Sequence, residues 1–224
     1  MHPDDPDWSV HLLQLAARGR LGYASRTLLL DLPALSQPWT CATGLCTPGR
    51  RAKEARSCCA DLEVTPTDAE RAAIDAALPE IAAFLAPRDP RWAAPASPFD
   101  GDALRRADRR CIFAMPGPDG LSCGLHTLED ATGRPRGALK PLPCRLFPLV
   151  VVDIEDGRTL LTAIDRRTWR LTGSRPPRAF PCLGLENAPT IATACVDTIT
   201  TLYGARAARR TAEVVEGWRT AADG

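Results

Sequence analysis

Apolar residues recur at helical spacing near both ends of the chain and in its first half, and strand-sized apolar blocks lie between. Trp8, His11, Leu12 and Leu15 fall on one face of a helix over residues 8–18, and Arg26 to Leu32 reads as a short strand closed by Pro33. His11 sits on that stripe and reads as a satisfied core or edge histidine. Thr67-Asp-Ala-Glu70 has the form of a capping box, in which hydroxyl and carboxylate each satisfy a free amide. Ile74, Leu78, Ile81 and Leu85 continue it as a stripe, with Pro79 inside, where a kink or split is expected.

Prolines at 87, 90, 95 and 98 make residues 87–101 an irregular connector. A short charged helix around Asp102–Arg109 is expected next, leading into the strand-like Cys111-Ile-Phe-Ala. Pro116-Gly-Pro-Asp-Gly120 signals a turn, and Leu121-Ser-Cys123-Gly-Leu-His126 returns, so a hairpin carries Cys111 and Cys123 to the same end. Residues 127–139 read as a short helix or loop. Leu149–Ile154 and Thr159–Ile164 flank Glu155-Asp-Gly-Arg158, the pattern of a β-hairpin with two largely apolar, buried strands. Asn187 is placed as the cap of a final helix striped by Ile191, Cys195, Ile199 and Leu202. The Ala- and Arg-rich tail from Ala205 extends it as a solvated helix with a basic face.

The loop between these elements changes the picture. Cys41-Ala-Thr-Gly-Leu-Cys46 is followed after eleven residues by the adjacent pair Cys58-Cys59, four thiols in nineteen positions, among residues that do not form cores. Thiols hold such a loop through disulfides or through a shared metal. Of the nine cysteines, Cys195 belongs to an apolar stripe and reads as packing. The other eight, Cys41, Cys46, Cys58, Cys59, Cys111, Cys123, Cys144 and Cys182, lie in loops, at turns or beside proline or glycine. Cys144 has prolines on both sides, in Lys140-Pro-Leu-Pro-Cys-Arg-Leu-Phe-Pro148, which fixes the backbone of a preorganised ligand.

Composition decides between disulfide and metal. The acidic N-terminus lacks the basic and apolar regions of a signal peptide, and the longest apolar run, Leu146–Val152, is far too short to span a bilayer. A cytoplasmic location is therefore expected, where thiols stay reduced and clustered cysteines point to metal. A net charge of +1 and 5% aromatic residues give no reason to expect nucleic acid or a membrane as partner.

Thiolates select zinc, copper(I) or iron–sulfur clusters. Eight of them suit two four-thiolate sites, or one site with spare redox thiols. Adjacent cysteines point in different directions, so Cys58 and Cys59 fit a multi-iron cluster or two neighbouring metals more easily than one tetrahedral zinc. This tips the reading slightly to iron–sulfur. No glycine-rich nucleotide motif is present. A Cys123–His126 nucleophile dyad, and His126 as a ligand, are weaker readings than a polar turn residue. Arg145, beside Cys144, is placed either as a donor to a cluster sulfur or as a surface ion pair.

The C-x4-C-x11-C-C pattern with its Val-Thr-Pro segment resembles the bacterial cysteine-cluster proteins of the zinc- or iron-chelating family (YkgJ type). So do Cys-Ile-Phe, Cys-Gly-Leu-His and Lys-Pro-Leu-Pro-Cys-Arg-Leu-Phe-Pro, and the resemblance covers residues 41 to about 150. It implies metal ligation by Cys41, Cys46, Cys58, Cys59, Cys111, Cys123, Cys144 and Cys182. The family's first spacing is commonly three residues or fewer, against four here. A related cysteine-cluster protein methylates flagellin lysines, so the resemblance also admits a cluster-dependent enzyme such as a protein lysine methylase.

The expectation is thus a single α+β domain over residues 1–224, irregular and loop-rich, organised around a cysteine metal centre. Its cysteine core covers about 41–185 and its C-terminal helix about 188–218. The function expected is thiolate metal binding, with a cluster-dependent enzyme and a thiol redox sensor using Cys58 and Cys59 as alternatives.

Overall fold

The computed structural model describes residues 7–41, 59, 62–93, 97–108, 110–117, 120–174 and 176–223. The architecture is mixed α+β. Among the described residues the helices are α1 (Trp8–Ala17), α2 (Leu32–Leu35), α3 (Asp68–Leu85), α4 (Gly124–Thr132), α5 (Leu142–Leu146), α6 (Ile191–Ala194), α7 (Val196–Tyr203) and α8 (Ala205–Asp223). The strands are β1 (Leu21–Tyr23), β2 (Leu28–Asp31), β3 (Phe99–Asp100), β4 (Ala103–Leu104), β5 (Arg106–Ala107), β6 (Arg110–Cys111), β7 (Ala114–Gly117), β8 (Gly120–Cys123), β9 (Leu149–Ile154) and β10 (Arg158–Ala163). The chain packs as two compact units, residues 1–41 with 146–224 and residues 42–145.

The first unit is built on a four-stranded sheet of order β1-β2-β10-β9, in which β2 and β10 run parallel and the other pairs antiparallel. Side chains alternate across a strand, so successive leucines serve opposite faces. Leu29 and Leu160 pack on one face with Leu15, supported by Trp8 and Leu12 of α1. Leu28, Leu30 and Leu161 face the other way, into a core with Leu35, Ile191, Cys195, Ile199 and Val215. Burying each such side chain contributes roughly 1.5–3 kcal/mol.

The β9–β10 hairpin forms as expected, with Arg158 paired to Ile154. Asp156 and Gly157 both adopt left-handed backbone, φ 67° and 68°, which the Asp-Gly pair tolerates. The expectation that both strands are buried holds for β10 from Leu160 to Ala163, and in β9 for Leu149 alone. β9 is the sheet edge and alternates, with Val151 exposed.

The C-terminal helix is in three pieces. Asn187 (φ 62°) lies outside it, and Thr190 caps α6 by accepting from the Thr193 amide. The chain breaks at Cys195 and again at Gly204, whose φ of 83° ends α7. Cys195 itself is core, in line with its stripe.

At the end of β2 a carboxylate is fully buried. Asp31 accepts from the Ala34 amide at 3.1 Å, capping α2, and from the Thr162 hydroxyl at 2.8 Å. His11 Nε2 lies 2.8 Å from its Oδ2 and Arg167 3.6 Å from its Oδ1. His11 is thus the satisfied core histidine expected of it.

The second unit has a different build. α3 starts at the expected capping box, with the Thr67 hydroxyl accepting from the Glu70 amide and the Glu70 carboxylate from the Thr67 amide. Pro79 does not split it. Ile74, Ile81 and Leu85, on either side of the proline, are fully buried and hold the helix through the missing bond. Three two-stranded hairpins, β3–β4, β5–β6 and β7–β8, follow. The charged helix expected around Asp102–Arg109 is absent among the described residues there. The segment folds instead as β4 and β5, because Leu104 and Ala107 turn into the core with Trp92, Ile112, Phe113, Leu125 and Leu128.

Removing the Asp31 carboxylate by Asp31→Ala strands the Thr162 hydroxyl, the Ala34 amide and the His11 ring in a dry site. A loss of about 3 kcal/mol is expected. Urea denaturation followed by circular dichroism measures it.

Candidate metal centre

Three of the expected ligands border one core. Cys111, Cys123 and Cys144 all pack, partly buried, against the hydrophobic cluster of the second unit. Different devices place each of them.

Cys111 ends β6 and pairs with Arg106 of the β5–β6 hairpin. The expected β7–β8 hairpin forms, but it pairs Cys123 with Ala114, so the two cysteines belong to successive hairpins. The Arg91 guanidinium clamps the intervening backbone, donating to the carbonyls of Ala107 and Ala114, while Trp92 Nε1 donates to the Ile112 carbonyl. Asp89 in turn orients Arg91 through a bidentate pair. Burial opposes the Asp89 charge. Hydrogen bonds from the Arg91 side chain and amide, with the charges of Arg91 and Arg110, outweigh it and hold the carboxyl below its ordinary range.

Cys123 is the N-cap of α4. Gly124 follows because nothing larger fits. A Cβ there would stand 2.6 Å from the Leu85 side chain and 3.1 Å from the Phe113 carbonyl, to which the Gly124 amide donates. Cys111 and Cys123 lie near enough to act on each other electrically. Burial is the main cause that pushes the Cys111 thiol up to about 11, and Cys123 adds to it against the Phe113 amide and the Arg106 and Arg91 charges.

Cys144 sits in the short helix α5, held at the end of a loop with few regular partners of its own. Two glutamates supply them. Glu129, fully buried on α4, accepts from the amides of Gly137, Leu139 and Lys140 at 2.6–3.0 Å. Glu70 keeps one oxygen on the capping box and takes the Leu142 amide with the other at 2.6 Å. Arg145 lies over the face of Gly137, where a Cβ would come within 2.3–2.6 Å of its guanidinium.

The other expected ligands differ in burial. Cys59 is partly buried and Cys41 exposed. Cys182 is buried in a turn of the first unit closed by the Leu183 amide on the Phe180 carbonyl, beside the Trp39–Leu183 bridge. Cys46 and Cys58 lie outside the described residues. His126 stands 3.4 Å from Asp130, one turn along α4. Burial first, then the charges of Lys140 and Arg136, lower its pKa against Asp130 and Glu129, so it is neutral at pH 7. Among the described residues no group of three or more His, Cys, Asp or Glu is placed to hold a metal ion. The donor chemistry of Cys111 and Cys123 fits two positions of a thiolate centre.

Sequence reasoning missed Asp89, Arg91 and Glu129. Glu129 left a signal, since it follows Leu125 by four residues and so falls on the apolar face of α4. No protein-family model, curated protein or solved structure matches this chain.

Glu129→Gln puts an amide donor against backbone donors. It should cost about 2 kcal/mol and speed hydrogen exchange at Gly137, Leu139 and Lys140 selectively. For Asp89 the sign follows from its lowered pKa. Its stabilisation is complete above the ordinary value of 3.8 and is lost as pH falls through the lower folded value. Acid titration of Asp89→Asn against the parent chain should show that low-pH loss only in the parent.

Proposed function

We propose that the protein binds metal through cysteine thiolates, with an iron–sulfur cluster slightly favoured over zinc. The carrying observation is the Cys111–Cys123 neighbourhood. Two thiols on separate hairpins share one environment, pinned by Arg91, Trp92 and Gly124, although a buried thiol beside another gains nothing by itself. Metal binding removes the thiol proton and turns that juxtaposition into stabilisation. Cys144, on its glutamate-held loop, is the next ligand, and Cys41, Cys46, Cys58, Cys59 and Cys182 complete the proposed set. The bound group would supply cross-linking of loops that carry little sheet, and in cluster form electron transfer.

A thiol redox sensor using Cys58 and Cys59 is the weaker reading, and Cys111 lends it no reactive thiolate. The thiolate is the reactive form, and a thiol pushed up to about 11 is protonated at neutral pH.

Anaerobic purification without a histidine tag, then absorption and elemental analysis, tests the proposal. Iron with acid-labile sulfide and a band near roughly 400 nm identifies a cluster, stoichiometric zinc a colourless site, and absence of both overturns the reading. Cys111→Ser, Cys123→Ser, Cys144→Ser and Cys58→Ser should each lower metal per chain, whereas Cys195→Ser should not. Unchanged metal in the first four sinks the ligand set.

A further inference from the structure

The first unit carries a second chemical feature, on α8. Arg206, Arg209 and Arg210 are its second, fifth and sixth residues, so they share a face within its first two turns. That end of a helix carries unpaired N–H groups and partial positive charge, and acids are favoured there. α8 inverts the preference, with no acid in its first turn and no base in its last. Among the described residues Arg206 and Arg209 make no ion pair. Arg210 has only the exposed Glu213, at 3.4 Å, in the weaker orientation with the base ahead of the acid.

These arginines line a concavity of about 260 Å³ with Glu213 and Ala24. The wall opposite the helix is the β1–β2 turn, and it is firmly seated. The Ala24 amide donates to the Leu28 carbonyl at 3.0 Å, and Gly22 lies so close to α8 that a Cβ would stand 3.0 Å from Val214. Ala24, with its short side chain, leaves the space between turn and helix open.

We propose that this concavity binds a small phosphate-bearing anion with two or more negative charges. Guanidinium forks match phosphate oxygens two at a time, and three of them exceed what a single carboxylate can accept. A bound anion would supply the negative charge that this end of α8 lacks. The site is independent of the proposed cysteine centre.

Calorimetric titration of the full chain with inorganic pyrophosphate at low salt tests it, with metal content measured before and after. One saturable site is expected, weakened about tenfold or more by Arg206→Ala with Arg209→Ala. Glu213→Gln should tighten it, and Arg219→Ala, farther along the same helix, should leave it unchanged. All four positions are exposed, so the variants keep the core packing intact. No saturable binding, or equal weakening by Arg219→Ala, overturns the proposal.

Discussion

Every buried backbone N–H and C=O needs a partner, and the second unit has little sheet to provide them. Its described strands are two to four residues long and pair only in twos. Charged side chains do the work that ladders do elsewhere. Arg91 takes carbonyls on either side of Cys111, Glu129 takes three amides of the loop before Cys144, and Glu70 takes the first amide of α5. The backbone around Cys111 and Cys144 is therefore held by charged side chains as well as by short hairpins and a helical turn. Each of those groups is itself satisfied, which is the condition for keeping a charge in a core.

The first unit meets the same requirement by the opposite route. A continuous four-stranded ladder and the helices on it satisfy its backbone, and the fully buried carboxylate of Asp31 gathers side chains from α1, β10 and the segment after it. Buried polar networks of this kind add less to stability than equivalent apolar packing and more to uniqueness. Here the requirement that His11, Thr162 and the α2 amide meet at one carboxylate fixes the register of β2 against β10, which a row of leucines alone would leave open to slippage.

Local signals in the sequence translated well into local structure. The capping box at Thr67, the Asp-Gly hairpin at 155–158 and the stripe through Ile74 and Leu85 depend on residues within a turn or two of one another, and they formed as read. The segment 102–109 misled because its charges suggested a helix, while its fate was decided by Leu104 and Ala107 meeting a core assembled from distant residues. The C-terminal helix was legible as helix, but its breaks at Cys195 and Gly204 were not, since the apolar stripe runs through the first of them. At the thiols, residue type and proline flanks were readable, whereas the support was not. Arg91 and Glu129 act at separations of 8–23 residues, with no motif to mark them.

Glu70 caps α3 with one carboxylate oxygen and with the other reaches an amide 72 positions further along the chain. One contact is local and can form as soon as α3 exists. The other must wait until the chain has been made past Leu142 and a long loop has closed, a slow step that raises contact order. During synthesis the helix can thus be capped early while the Cys144 loop stays unfastened. The Cys144 segment then docks onto a scaffold that already holds the acceptor in place, which gives the assembly of the unit a built-in order from α3 to Cys144.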